Sequence, residues 1–213
     1  MADAHEELLN IYDEAGVVVG AQPRRAAKAS GLAVGAVNAL LVNERGEVLL
    51  QHRPSGKENG GLWDKSVGGH VSAGEAFDVT MLREAGEELF DDPASERVRL
   101  AASESEFAAL LARSDLTQCV VLRRVALQHN LRDVRHAPEG GLRNVRYHVA
   151  IYTGRTGIPI DGFRPQASEI DSLSYLPAAE VDQLLLKGRL APNMAFLWLT
   201  QAHALLGGAP ARG

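Results

Sequence analysis

Residues 76–90 constrain this chain more than any other stretch. They follow Gly68-Gly69-His70-Val71-Ser72-Ala73-Gly74-Glu75, contain neither Gly nor Pro apart from Gly86, and end at Asp91-Asp92-Pro93. Phe77, Met81, Ala85 and Leu89 recur at every fourth position, which predicts a helix with one apolar face. On another face Glu84, Glu87 and Glu88 stand at i, i+3 and i+4, so three carboxylates converge. Like charges so placed repel, and a merely solvated face seldom gathers them without interleaved lysines. A hard divalent cation such as Mg²⁺ or Mn²⁺ removes that cost, because it takes oxygen ligands and keeps positions open for phosphate and water. The segment therefore needs a core for one side and a ligand for the other. Arg83 has two candidate partners, Glu87 one turn on and Glu75 in the preceding loop.

The surrounding pattern supplies strands for that core. Two apolar runs, 8–12 and 17–19, flank a turn signal and read as a hairpin, followed by a basic connector through Lys28. Residues 34–42 and 48–51 around Asn43-Glu44-Arg45-Gly46 read as a second hairpin with buried strands. A glycine-rich, charged segment, 53–61, suits a binding loop. Strands are expected at 98–101, 119–130, 145–152 and 170–176, and helices at 106–113, 178–186 and 193–206. The fold class is α/β. The organisation expected is residues 1–30 as hairpin and connector of the same domain, a main domain over 31–206, and a frayed tail at 207–213.

Composition narrows the function classes. With 213 residues and 46% hydrophobic content, the chain can bury a core. Its single cysteine, Cys119, excludes an intramolecular disulfide framework or a multi-cysteine zinc site. No apolar run approaches the roughly 18–20 residues of a membrane helix. The acidic start, Met1-Ala2-Asp3-Ala4-His5-Glu6-Glu7, lacks an apolar signal core and reads as mature cytoplasmic sequence. The net charge of −5 is uneven, with 17 acids against 10 bases in residues 1–100 and 10 against 12 in the remainder. A nucleic-acid partner is weakly supported, since the total is negative and no interleaved aromatic and basic motif appears.

Gly69, Glu75, Arg83-Glu84, the small Ala85 and Glu87-Glu88, at these spacings, resemble the Nudix box, the signature of hydrolases that cleave a nucleoside diphosphate linked to another moiety. The resemblance implies an α/β/α sandwich with a mixed β-sheet, here with an N-terminal hairpin and an insertion or elaborated hairpin near 103–144. It implies Mg²⁺, with Mn²⁺ as a substitute, held by Glu84, Glu87, Glu88 and the Gly69 carbonyl. It implies Glu75 as a structural residue of the box and Arg83 as one of the catalytic residues. Glu84 is the carboxylate expected to orient or deprotonate the attacking water. Glu169, from a loop outside the box, is the alternative base, and a strand or helix cap is its competing role. Two positions depart from the pattern: the usual Gly is Phe90 and the following aliphatic is Asp91, which puts the helix exit in question rather than the ligands.

The order Leu49-Leu50-Gln51-His52-Arg53, then residues 62–70, then Ser168-Glu169-Ile170 is also similar to the Nudix subgroup that contains isopentenyl-diphosphate isomerase. That enzyme needs a cysteine where this chain has Gly68, two upstream histidines where it has Ala27 and Val34, and paired glutamates where it has Arg146 and His148. A third class is a noncatalytic binding module, which usually loses the box carboxylates that this chain keeps. On the substrate side, Arg53 and Lys57 match the spacing of diphosphate contacts in the subgroup, against the alternative of solvated loop charges. Arg146, with the stretch from Arg123 onward, offers further phosphate contacts, or else an exposed face or a homodimer surface. The partner implied is a small-molecule diphosphate.

Overall fold

A computed structural model describes residues 6–136 and 142–205 of the chain. The expected tail at 207–213 lies outside the described residues. The strands are β1 (Leu8–Tyr12), β2 (Val18–Pro23), β3 (Ala33–Val42), β4 (Val48–His52), β5 (Trp63–Asp64), β6 (Val67–His70), β7 (Val98–Ala101), β8 (Val120–His136), β9 (Leu142–Thr156) and β10 (Ser172–Leu176). The helices are α1 (Arg24–Ala29), α2 (Phe77–Phe90), α3 (Glu104–Arg113), α4 (Ala178–Leu186) and α5 (Pro192–Leu205). Among the described residues no helix is long and apolar enough to cross a membrane.

The main path of the mixed sheet is β10-β4-β3-β9-β8-β7, with β3–β9 and β7–β8 parallel. β3 organises it. One edge of β3 pairs with β9 along its whole length, while the other is shared in turn by β1, β6 and β4. β3 therefore has no free edge and its side chains are buried on both faces, which explains an apolar run with little alternation. Val37, Ala39 and Leu41 face Met81, Ala85 and Leu89 of α2. Leu40, Val149 and Ile151 face Val181, Met194, Leu197 and Trp198 of α4 and α5. The helices thus lie on both faces of the sheet.

Three differences from the sequence reading have physical causes. The basic connector contains a helix, α1, whose Ala27 packs fully buried beside Leu9 and Val34. The region 103–144 holds α3 and the outer half of a long hairpin: β8 has 17 residues and β9 has 15. Its ladder shifts register twice, between Arg124 and Ala126 and between Gln128 and Leu131, where Asn130 takes a φ of 54°. At the α2 exit, Asp91 supplies the left-handed residue (φ 53°), and its N–H bonds back to Glu87 O. Phe90 is buried core, packed on Phe163 and covered by Arg97.

Candidate functional site

The N-terminal hairpin sets the loop that leads into α2. Asn10, a polar residue in an apolar strand and 2% exposed, donates from Nδ2 to Glu75 O (2.9 Å) and accepts from Gly74 N–H (2.9 Å). Glu75 then accepts Arg83 through both oxygens (3.0 and 3.1 Å) and Thr80 Oγ1 (2.7 Å). Burial pushes the Glu75 carboxyl up, but Arg83 and Thr80 outweigh it and leave its pKa below the usual carboxylate value. Arg83 takes both partners proposed for it, for it also reaches Glu87 (2.9 Å) and, in addition, Glu84 (3.1 Å).

Beside this arginine hub lie a buried carboxylate, Glu88, and a partly buried one, Glu84. Glu88 Oε2 accepts from Gln51 Nε2 (2.8 Å) and from Gly68 N–H (3.0 Å). Burial, with Glu84 close by, pushes Glu88 up to about 8. Burial also pushes Glu84 up to about 7, with Arg83 opposing and Glu87 reinforcing the shift. The Glu84 carboxyl lies directly over Gly69, where an added Cβ would fall 2.1 Å from it. A side chain at position 69 would force the Glu84 carboxylate out of this position, which gives the box glycine a steric reason.

These groups open on a cleft of about 510 Å³ floored by Asn38, Tyr147, Val149 and Ile151 of the sheet. Arg53 and Glu169 line it as well. Arg53 is anchored, with Nε on Glu58 O (2.9 Å) and a guanidinium nitrogen 3.2 Å from Asp64. Lys57 meets Glu169 at 2.5 Å, so an ion pair joins the loop before β5 to the loop before β10. Arg146 does not join the cleft. It donates to Gly31 O (3.2 Å) and faces Glu14, because its place in the β9 register directs it towards the α1–β3 connection.

The cleft also gathers Asp64 and Lys65, with Arg24 and Lys28 of α1, which the sequence reading did not assign, and Arg132 of β8 from the arginine-rich stretch; Gln51, also unassigned, acts through its hydrogen bond to Glu88. Gln51 had a signal, a lone amide ending the apolar run of β4. Arg132 stood in the arginine-rich stretch, but which of those arginines meets the cleft is set by the two register shifts between it and the start of its strand. His70, beside Tyr147, has its pKa well below the ordinary value through burial and the neighbouring cations Lys28, Arg24 and Lys65.

Among the described residues no three His, Cys, Asp or Glu side chains already converge as a metal cage, since Arg83 holds Glu84 and Glu87. The donor chemistry fits a hard divalent cation nonetheless. The set is all oxygen, and the charge of Glu84 disfavours that of the buried Glu88, a conflict that a cation would relieve.

Comparison with known proteins agrees with this layout. A family model described as NUDIX domain matches residues 33–195. An uncharacterized Nudix hydrolase of Nostoc sp. is 36% identical over 85 residues, 39% of this chain and 50% of that protein. The chain thus spans about half the length of that relative. An isopentenyl-diphosphate Delta-isomerase of Streptomyces avermitilis is 28% identical over 82% of this chain and 73% of that protein. The crystal structure of DR0079 from Deinococcus radiodurans superposes with a TM-score of 0.60 at 22% identity, covering 90% of this chain and 96% of that one. The family model spans most of the chain and takes in Gly69, Arg83, Glu84, Glu87 and Glu88, which line the cleft: the chain belongs to the Nudix family.

Proposed function

We propose that this chain is a Mg²⁺-dependent pyrophosphohydrolase that cleaves the diphosphate linkage of a nucleoside diphosphate derivative or a related small molecule. The observation that carries this reading is the pairing of partly buried Glu84 with buried Glu88 on the cleft that Arg53 also lines. Glu84, Glu87, Glu88 and the Gly69 carbonyl would hold the metal, with Mn²⁺ as an alternative. When bound, the cation offsets phosphate charge and acidifies water.

The chain's own residues do the rest. Gln51 and the Gly68 N–H fix Glu88, and the anchored Glu75 keeps Arg83 in place to set the rotamers of Glu84 and Glu87. Arg53 faces the substrate's phosphates, and Lys57 reaches them once it leaves Glu169. Glu84 orients or deprotonates the attacking water. Glu169 is the competing base and must break its ion pair with Lys57 to act.

The test is a Mg²⁺ titration of the full chain against nucleoside diphosphate sugars, ADP-ribose, CoA and isopentenyl diphosphate, reading both phosphate release and isomerisation. Turnover that Glu88→Gln removes while the fold stays intact supports the reading, and unchanged turnover in that variant sinks it. Loss in Glu169→Gln but not in Glu84→Gln would move the base to Glu169. The isomerase remains the second reading because a relative carrying that name aligns over most of the chain. Ala27 and Val34, where its histidines would stand, are both fully buried apolar side chains in this fold. Isomerisation without phosphate release would establish that reading, and saturable binding without turnover would indicate a binding module.

A further inference from the structure

Lys65 lines the cleft and has no task in the reading above. Its side chain is 8% exposed, and among the described residues its ammonium has one hydrogen-bond acceptor, Asp64 Oδ1 at 3.3 Å. Asp64 is itself buried, and its other oxygen is taken by Arg53 at 3.2 Å. One buried carboxylate thus serves two cations, while an ammonium carries three donors. A buried cation with donors to spare is costly, and its retention points to a ligand that completes it.

Gly68 is what admits this cation to the site. A Cβ there would fall 2.0 Å from Lys65 Cε and 2.9 Å from Nζ, so the lysine stem crosses a space that any other residue would fill. The N–H of the same glycine donates to Glu88. The ammonium is therefore brought up against the backbone that holds a box carboxylate, and its charge opposes the upward push of burial on Glu88. Without metal, Lys65 partly balances Glu88. With the carboxylates engaged by a divalent cation, Lys65 and Arg53 would be left sharing Asp64 alone at the wall of the cleft.

We propose that Lys65, laid across Gly68 and braced by Asp64, joins Arg53 in a paired cationic contact for the diphosphate of the substrate. The proposal rests on the pyrophosphohydrolase reading and adds the wall of the cleft that receives the phosphates. Asp64 is a positioning residue in this arrangement, since one carboxylate sets the spacing of both cations. Were Lys65 only a counter-ion for Glu88 and Asp64, removing its charge would alter stability and metal affinity without altering anion affinity.

The experiment is calorimetric titration of the full chain, with Mg²⁺ present, by methylenediphosphonate, a diphosphate analogue with a carbon bridge that resists hydrolysis. Lys65→Met keeps the stem and drops the charge, whereas Gly68→Ala keeps the charge and displaces the stem. Both are expected to weaken binding roughly ten- to hundredfold, the loss of one charge-assisted contact. Lys65→Met should also flatten the salt dependence of binding and leave Mg²⁺ affinity unchanged or slightly tighter. Equal affinity of Lys65→Met and the unsubstituted chain overturns the proposal, as does a loss that merely follows a loss of Mg²⁺ binding. If Lys65→Met fails to fold by its melting curve, Gly68→Ala carries the comparison. Turnover of the unsubstituted chain on the substrate panel judges the hydrolase reading separately, and failure of that chain to bind methylenediphosphonate while it turns over substrate overturns the Lys65 proposal alone.

Discussion

Helix α2 and the β8–β9 hairpin are both rich in like charges, and they dispose of them in opposite ways. On α2, Glu84, Glu87 and Glu88 are gathered by helical spacing and remain together beside one arginine. In the hairpin the arginines scatter. Arg123 pairs with Glu104 and covers Phe107, Arg124 meets Asp78, Arg146 turns to Gly31 O, and Arg132 lines the cleft. The side chains of Arg135 and Arg143 lie outside the described residues. A helix converts sequence spacing directly into a shared face, whereas a strand pair with two register shifts changes which face each residue meets. Charge counted along a sequence therefore means something different in the two regions.

The largest expected effect separates them by activity. Glu88→Gln should lower Mg²⁺-dependent turnover by on the order of a hundred- to a thousandfold, the scale of removing one preorganised electrostatic group, measured as kcat on any substrate the panel yields. Gly86→Ala tests the rigidity of the carboxylate face by stability. Helix propensity alone favours alanine by about 1 kcal/mol. Here a Cβ would lie 2.3 Å from Asp92 O, a backbone atom fixed by the left-handed exit. The clash should win, for a net loss of about 1–2 kcal/mol by urea unfolding. A stabilised variant would show that the α2 exit is softer than its geometry implies.

Legibility followed the same division. The α2 apolar stripe, the turn before it and the carboxylate spacing could be read from residues within two turns of one another. Asn10 and Gln51 lie far from the box in sequence, yet their amides hold Glu75 and Glu88 through contacts 65 and 37 residues apart. Each showed only as a polar residue in an apolar strand. The reach of Arg53 and the departure of Arg146 depend on loop path and register, which no local pattern encodes.

The hairpin has its own buried titratable group. His148 is fully buried, its Nδ1 lies 2.8 Å from His129 Nδ1, and among the described residues its Nε2 has no hydrogen-bond partner. Burial first, and the charge of His129 second, hold its pKa below the ordinary 6.5. A histidine whose folded pKa is depressed contributes stability that is present above the unfolded value and is lost as pH falls below it. Urea midpoints should therefore drop from pH 7.5 to pH 5.5, and His148→Gln should show a smaller drop. An identical drop in both proteins would assign the acid sensitivity to other groups, with Asp13 and Arg146 the nearest charges to examine.

Arg124→Ala is expected to do least, and that makes it the control for the comparison. Arg124 and Asp78 are each nearly half exposed and 3.4 Å apart, a pair that water and salt screen. Asp78 keeps the Tyr152 hydroxyl at 2.6 Å when the arginine is gone, so no buried polar group is orphaned. Stability should change by less than about 0.5 kcal/mol, and turnover should be unchanged because Arg124 does not line the cleft. A clear fall in substrate affinity would mean that the hairpin arginines act on the substrate as a field rather than as individual contacts. The scatter of their partners would then matter less than their number, and charge counted along the sequence would be informative in the hairpin as well as in the helix.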